Sequence, residues 1–436
     1  MHELPNFASH RASVLDRLSE DEAVLVFGAP THLRNGDADY RYRPDSDVFW
    51  LTGWEDPQVA VFLRPGADPF TLFVQERDPK REVWDGSRPG PEGARRDFNA
   101  NAAFTFAEIA KELPRLLQGV TTLHYAFAQD PEHDALVMTS IRTAARAARN
   151  NGLSYPETFH TLSRVLHECR LIKTSSELAL LREAAKVSAD AHKVLMGAAT
   201  PGMREFQLEG LLEAHFLENG STGAGYTPIV ATGANATVLH YVRNRDVLQD
   251  GDLVLVDAGC EIAYYTADIT RTWPVSGSFS TPQRQIYEGV LRAQEAAIAA
   301  VKPGNTLFDV HQAAVRSLTE TMVRLHLLEG DVDDLIADES YKRYYMHGTS
   351  HWLGLDVHDV GAYGRNGQVR QLAPGMVLTV EPGLYVALDD ERAPEPFRGI
   401  GVRIEDDVLV TPEGREVLTD SVPKTVAELE SICSSP

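Results

Sequence analysis

Two stretches of the chain, 174–273 and 281–410, spell out the same succession of elements: long helix, Pro-Gly break, second helix, then β-rich sequence. In the first, Thr174 with Glu177 three positions on forms a capping-box pattern, in which the two side chains satisfy each other's backbone N–H at a helix start. The helix it opens passes through Leu178, Leu181, Ala185 and Val194 to Pro201-Gly202, and a second spans 205–218 before Asn219-Gly220. In the second stretch, Thr281 as N-cap with Pro282 at the first helical position opens a helix to Val301. Pro303-Gly304 breaks it, and a further helix over 307–328 closes at Glu329-Gly330. Strand-like runs follow each pair: 253–258 and 263–273 after the first, 377–381 and 402–410 after the second. Pro-Gly ends helices wherever it occurs, which accounts for each break separately but not for the matching order afterwards. The pattern predicts an internal duplication, two similar α+β halves whose sheets meet about a pseudo-two-fold axis.

The sequence upstream reads differently. With 436 residues and 43% apolar side chains the chain outgrows a single core, since cores stop growing near roughly 250–300 residues. The division falls near Arg170, giving a front domain over 1–169 and a larger domain over 170–436. In the front part the short apolar runs 23–27, 48–52, 59–63 and 71–74 read as strands of a helix-covered sheet, an α/β domain. The Gly- and Pro-rich stretch 85–97 reads as a surface loop. A net charge of −22 without any basic cluster argues against nucleic acid and anionic membrane as partners. No run approaches the roughly 18 apolar residues of a spanning helix, and residues 1–10 lack a cationic stretch followed by an apolar one. Three cysteines, Cys169, Cys260 and Cys433, show no metal-knuckle spacing and form no disulfide framework, so a reducing, cytoplasmic setting is the expectation.

Chemistry concentrates in the duplicated part. The run from Leu253 to Trp273 reads as a β-hairpin, and a turn centred between Ile262 and Ala263 sets Asp257 and Asp268 opposite each other. Like charges so placed are destabilising. Unless one aspartate is simply a turn residue, the pair needs a shared proton or a cation between them. Glu381 at the end of 377–381 and Glu405 within 402–410 also lie in strand contexts, where glutamate is poorly favoured unless paired or coordinating. His347, His351 and His358 fall within twelve positions of one another. Four carboxylates with an imidazole make an oxygen-rich set suited to divalent ions such as Mn, Co or Zn. They exceed the three protein ligands of a single catalytic zinc. A pair of ions fits better, and two metals that lower the pKa of a shared water toward about 7 perform hydrolysis.

At these residues the chain resembles the proline-specific pita-bread metallopeptidases. The run HGTSHWLGLDVHD, 347–359, matches their signature, and with VDAGCEIAYYTADITRTW, TVEPGLY and GIGVRIEDD it is most similar to aminopeptidase P, the Xaa-Pro aminopeptidase. The likeness covers most of the chain, including the front domain and the junction HECRLIKTSSEL. It implies a pita-bread catalytic domain holding two divalent metals, manganese foremost, with Asp257 chelating one, Asp268 and Glu405 bridging both, and His351 and Glu381 completing the second. A bridging hydroxide would attack the carbonyl before proline, with Glu381 taking or passing its proton. His240 and His358 would contact substrate, His347 and Arg403 would support the ligands, and Tyr385 occupies the place of an active-site tyrosine. Arg403, two positions from Glu405, would share its strand face. Trp352, Tyr385 and Trp84 are candidates for the proline pocket. The resemblance also implies a homodimer or homotetramer acting on peptides with proline second. Prolidase would use the same ligands on dipeptides, but Ser350-His351-Trp352 is closer to the aminopeptidase form of the motif. Methionine aminopeptidase has no call for this front domain, and a catalytically silent peptide-binding module leaves the intact ligand set unexplained.

Overall fold

A computed structural model describes residues 4–433. The chain ends included in the expected domains, residues 1–3 and 434–436, lie outside the described residues, as does part of the N-terminal stretch inspected for a signal. The chain separates into two compact units, Pro5–Arg170 and the remainder from Leu171.

The front unit is built on one mixed six-stranded sheet, ordered Ala102–Thr105, Phe70–Val74, Ala60–Leu63, Glu22–Phe27, Thr122–His124, Thr158–His160. Val-, Leu- and Phe-rich runs are buried in its central strands. On one face Leu25, Phe62 and Phe73 pack with Leu113 and Leu117 of the helix Ile109–Leu116 and its end, and with Val137 and Ile141 of Pro131–Asn151. Two expectations are corrected. Residues 48–52 belong to the helix Ser46–Thr52, opened by the Asp45 side chain accepting from Val48 N–H and closed by Gly53 in the left-handed region. Five apolar residues are too few for periodicity to separate helix from strand, and the caps decide. Within 85–97, Gly90–Asp97 is helical rather than loop, with Pro91 in its first turn and Arg95 and Arg96 in its last, both favourable positions.

In the second unit the duplication is plain. Ser175–Ala198 and Glu205–Glu218 form the first helix pair, with the Thr174–Glu177 capping box in place. Thr281–Ala300 and Leu307–Arg324 form the second. Its N-cap is Ser280, one residue before the expected Thr281, and its last helix stops short of 328 because His326 turns left-handed. After each pair comes the same two-stage ladder. Leu253–Asp257 pairs with Thr270–Pro274 and continues into Cys260–Ile262 with Tyr265–Thr266. Val377–Val380 pairs with Asp406–Thr411 and continues into Gly383–Tyr385 with Gly401–Arg403. The runs 263–273 and 402–410 are therefore not single strands: each breaks where the ladder passes from one sheet to the next. Among the described residues no helix is long and apolar enough to cross a membrane.

Candidate active site

The breaks in the ladders position the acidic side chains. Asp257 ends one long strand and Glu381 immediately follows its counterpart. Asp268 lies between Tyr265–Thr266 and Thr270–Pro274, and Glu405 between Gly401–Arg403 and Asp406–Thr411. Each half thus contributes two carboxylates from equivalent junctions. The first junction depends on Gly259. Ala258 N–H donates to Ile269 O and Ala267 N–H to Cys260 O, placing Gly259 opposite Asp268, and a Cβ there would stand 1.8 Å from the Ala267 carbonyl oxygen.

The register corrects the expected opposition of the aspartates. The turn is Ala263-Tyr264, both at positive φ, one residue later than anticipated, so Asp257 pairs with Thr270 and not with Asp268. What joins the two is Tyr226, whose hydroxyl lies 2.6 Å from Asp257 Oδ1 and 2.5 Å from Asp268 Oδ1. Arg403 likewise does not share a strand with Glu405, because the strand ends at Arg403. It reaches across to the first half instead, where Nη2 donates to Asp257 Oδ2 and Nε donates to Thr270 Oγ1 at 3.0 Å. The Thr270 hydroxyl in turn donates to Glu405 Oε2 at 2.6 Å.

His347 and His351 stand in the irregular segment before Val377–Val380, and their hydrogen bonds determine their tautomers. His351 Nδ1 is 3.1 Å from Trp352 O, so it donates there and directs Nε2 at Asp268 Oδ2, 3.4 Å away, and Glu381 Oε1, 3.6 Å away. His347 Nδ1 donates to Gly348 O at 2.7 Å, leaving Nε2 to accept from the Tyr385 hydroxyl at 2.9 Å. Tyr385 also accepts from Arg403 Nη1 at 3.2 Å. One connected network therefore runs from His347 through Tyr385, Arg403 and Thr270 to Glu405.

Burial strains this set electrostatically when only protein groups are present. Burial and the charges of Asp268, Glu381 and Asp257 hold the Glu405 carboxyl well above its usual range. Burial raises Glu381 to about 7, with His351 opposing and Asp268 adding. Burial works against a charged His351, but Asp268 and Glu381 outweigh it and bring His351 to about 9. Burial and the charge of Arg403 push His347 down to about 4. A neutral His351 would aim its Nε2 lone pair at anionic oxygens, so the arrangement calls for a proton or a cation between them. Asp268, His351 and Glu405 each offer one ligand atom within 4.8 Å of the others.

Asp257, Asp268, His347, His351, Glu381, Arg403 and Glu405 all line one cavity of about 580 Å³. His240 and the exposed His358, whose ring meets that of His351 edge-on at 4.4 Å, line it as well. Ile229, Leu239, Val242 and Val357 supply an apolar wall. Tyr385 reaches the site through His347 and Arg403. Trp352 is not brought to it: the indole is fully buried among Leu171, Leu372 and Leu378 and stacks on Tyr363. Trp84 belongs to the front unit and is exposed there. Sequence reasoning missed Tyr226 and Thr270. Tyr226 follows a glycine-rich stretch with no periodic signal, while Thr270 is an ordinary strand residue until the register is known.

Residues 179–412 match the model of metallopeptidase family M24, and residues 7–125 match that of the aminopeptidase P N-terminal domain. The Xaa-Pro aminopeptidase of Escherichia coli is 41% identical over 98% of this chain and 97% of its own length. The chain belongs to the aminopeptidase P family. Human Xaa-Pro aminopeptidase 3 is 34% identical over 95% of this chain and 81% of its own. Among solved structures, the aminopeptidase PepP of Pseudomonas aeruginosa superposes with a TM-score of 0.96 at 45% identity, covering 100% of this chain and 99% of that one. The low-pH form of E. coli aminopeptidase P gives 0.94 at 40% identity, covering 99% and 98%. As a member of this family the protein is a metallo-exopeptidase with the pita-bread fold, preceded in sequence by an aminopeptidase P N-terminal domain. The donor set suits the divalent metal that the family implies, since four carboxylates and the His351 Nε2 converge on one cavity, and a bound cation would take the place of the proton that Asp268 and Glu381 otherwise hold on His351.

Proposed function

We propose that the protein removes the N-terminal residue from peptides with proline at the second position, using two divalent metal ions, manganese foremost. The observation that carries this reading is the convergence of Asp257, Asp268, Glu381 and Glu405, two from each half, with His351 Nε2 on one cavity. Asp257 would hold one ion, Asp268 and Glu405 would bridge, and His351 and Glu381 would complete the second. When bound, such a pair supplies an activated water nucleophile and positive charge beside a developing oxyanion. Everything else falls to the chain itself. Glu381, set between His347 and His351, is placed to take a proton from the nucleophile and hand it to the leaving nitrogen. His240 and His358, at the cavity wall, are placed to orient the scissile carbonyl. Arg403 and Thr270 fix Asp257 and Glu405, and Tyr226 holds Asp257 and Asp268 together.

Proline makes such an enzyme necessary: an Xaa-Pro bond is a tertiary amide without the N–H that ordinary peptidases bind. The apolar wall of Ile229, Leu239, Val242 and Val357 is the surface we assign to its ring. We further propose residues 170–436 as the catalytic domain, residues 1–169 as the front domain, a homodimer or homotetramer, and a cytoplasmic location. The last is supported by three free cysteines.

The test is hydrolysis of Xaa-Pro-Xaa, Xaa-Pro and Met-Ala-Xaa peptides, before and after chelation and with manganese restored. We expect chelation-sensitive cleavage of Xaa-Pro-Xaa only. Cleavage of Xaa-Pro alone would make the enzyme a prolidase, and inactivity on all three with metal present would leave a peptide-binding module.

A further inference from the structure

A second cavity of about 560 Å³ adjoins the first, with Val242 in the wall of both. It is lined by Asn235, Tyr241, Val242, Arg243, Arg245 and Asp246. In a chain of net charge −22 two arginines at the edge of an acidic active site stand out. The segment that carries them is rigidly held. Asn244, between them, is buried and left-handed. Its amide donates to Pro228 O at 2.9 Å and its Oδ1 accepts from Val230 N–H at 3.0 Å. Because Asn244 plugs into the body of the domain, Arg243 and Arg245 on either side are left exposed. The buried Glu205 carboxylate fastens the same segment, accepting from Thr232 N–H, Asp246 N–H, the Asn235 amide and the Tyr241 hydroxyl. Arg204 Nη1 donates to Arg245 O at 3.0 Å and brings a third guanidinium alongside. The one carboxylate in the lining, Asp246, is engaged by the Asn235 amide at 2.8 Å. No ion pair of Arg243 or Arg245 occurs among the described residues.

We propose that this arginine cleft receives a carboxylate of the substrate downstream of proline, so that the enzyme favours peptides with negative charge one or two residues past the proline. The inference rests on the proposed Xaa-Pro aminopeptidase activity and deepens it. The catalytic cavity is lined by four carboxylates and the neighbouring cleft by two arginines. A peptide carrying its ammonium at one end and a carboxylate beyond the proline matches that polarity, and Val242, common to both walls, makes the two cavities neighbours for an extended chain. Two sources offer the same group, an acidic side chain or the free C-terminus of a short peptide.

The experiment compares kcat/KM of the manganese-loaded enzyme on Ala-Pro-Ala-Glu-amide, Ala-Pro-Ala-Lys-amide, Ala-Pro-Ala-Ala-amide and Ala-Pro-Ala free acid. Wild type is set against the Arg243→Glu/Arg245→Glu variant, with each rate divided by that on the neutral amide of the same protein. Exposed ion pairs are individually weak, and with two arginines in the cleft wild type should prefer the glutamate peptide over the lysine peptide by roughly fivefold. The preference should shrink in high salt and invert in the variant. A gain for the free acid that the variant loses assigns the cleft to the C-terminus, and a gain for the glutamate amide assigns it to side chains. Equal ratios in wild type and variant overturn the inference while leaving the aminopeptidase reading intact. Failure of wild type to cleave even the neutral amide overturns both.

Discussion

Thr270→Val removes one hydroxyl from the centre of the network and little else. Thr270 is fully buried, and valine has the same branching and nearly the same volume, so neither a cavity nor a strand penalty accompanies the change. What disappears is a pair of bonds, Oγ1 to Glu405 Oε2 at 2.6 Å and Arg403 Nε to Oγ1 at 3.0 Å. Leaving a buried group unpaired costs about 1–3 kcal/mol, and the Arg403 guanidinium left here carries charge. The metal-free variant should therefore unfold at least about 2 kcal/mol more easily. Losing the partner that orients a ligand lowers metal affinity by about 10–100-fold, so a Glu405 that coordinates should bind manganese that much more weakly in calorimetric titration. Thr270→Ser, which keeps the hydroxyl, should recover most of the affinity. A Thr270→Val protein with wild-type manganese affinity would refute the assignment of Glu405 as a ligand held by Thr270, whatever its stability.

Gly259→Ala forces a Cβ to 1.8 Å from a backbone oxygen, and we expect a loss of about 4 kcal/mol or more by denaturant titration. Gly210→Ala, in open space on the helix Glu205–Glu218, should instead gain about 0.5–1 kcal/mol. His192 is buried against Ala258 O, and desolvation pushes its pKa down to about 4. Below pH about 6.5 the unfolded chain takes a proton there that the folded chain refuses, so this contribution is complete above about 6.5 and is lost as the pH falls toward 4. Wild type should lose on the order of 3 kcal/mol over that span relative to His192→Gln, and parallel stability profiles would show that His192 is not the group responsible.

Much of the second unit was legible because local chemistry marks its boundaries. The Thr174–Glu177 capping box and the two Pro-Gly pairs are punctuation that tertiary structure had no reason to override, and their repetition carried the duplication. Where signals were short, packing and caps decided. Residues 48–52 read as a strand from composition, yet Asp45 and Gly53 close them into a helix. The acidic residues could be picked out as misplaced strand carboxylates, but not how they meet. The left-handed turn at Ala263-Tyr264 has neither glycine nor asparagine to announce it, so the sequence alone places the register one residue early and Asp257 opposite the wrong partner. The strand breaks at Asp268 and Glu405 arise from passage between sheets, a property of the assembled halves. Tyr226 and Thr270 act only once those halves are together, which is why neither stands out in the sequence.

The central claim is that five side chains from both halves cage two cations. Diffraction from crystals grown with excess manganese, recorded at the manganese absorption edge, tests it most directly. The account predicts two anomalous peaks, both touching Asp268 and Glu405, one reached by Asp257 and the other by His351 and Glu381. A single peak, or two that miss Asp268, would contradict it.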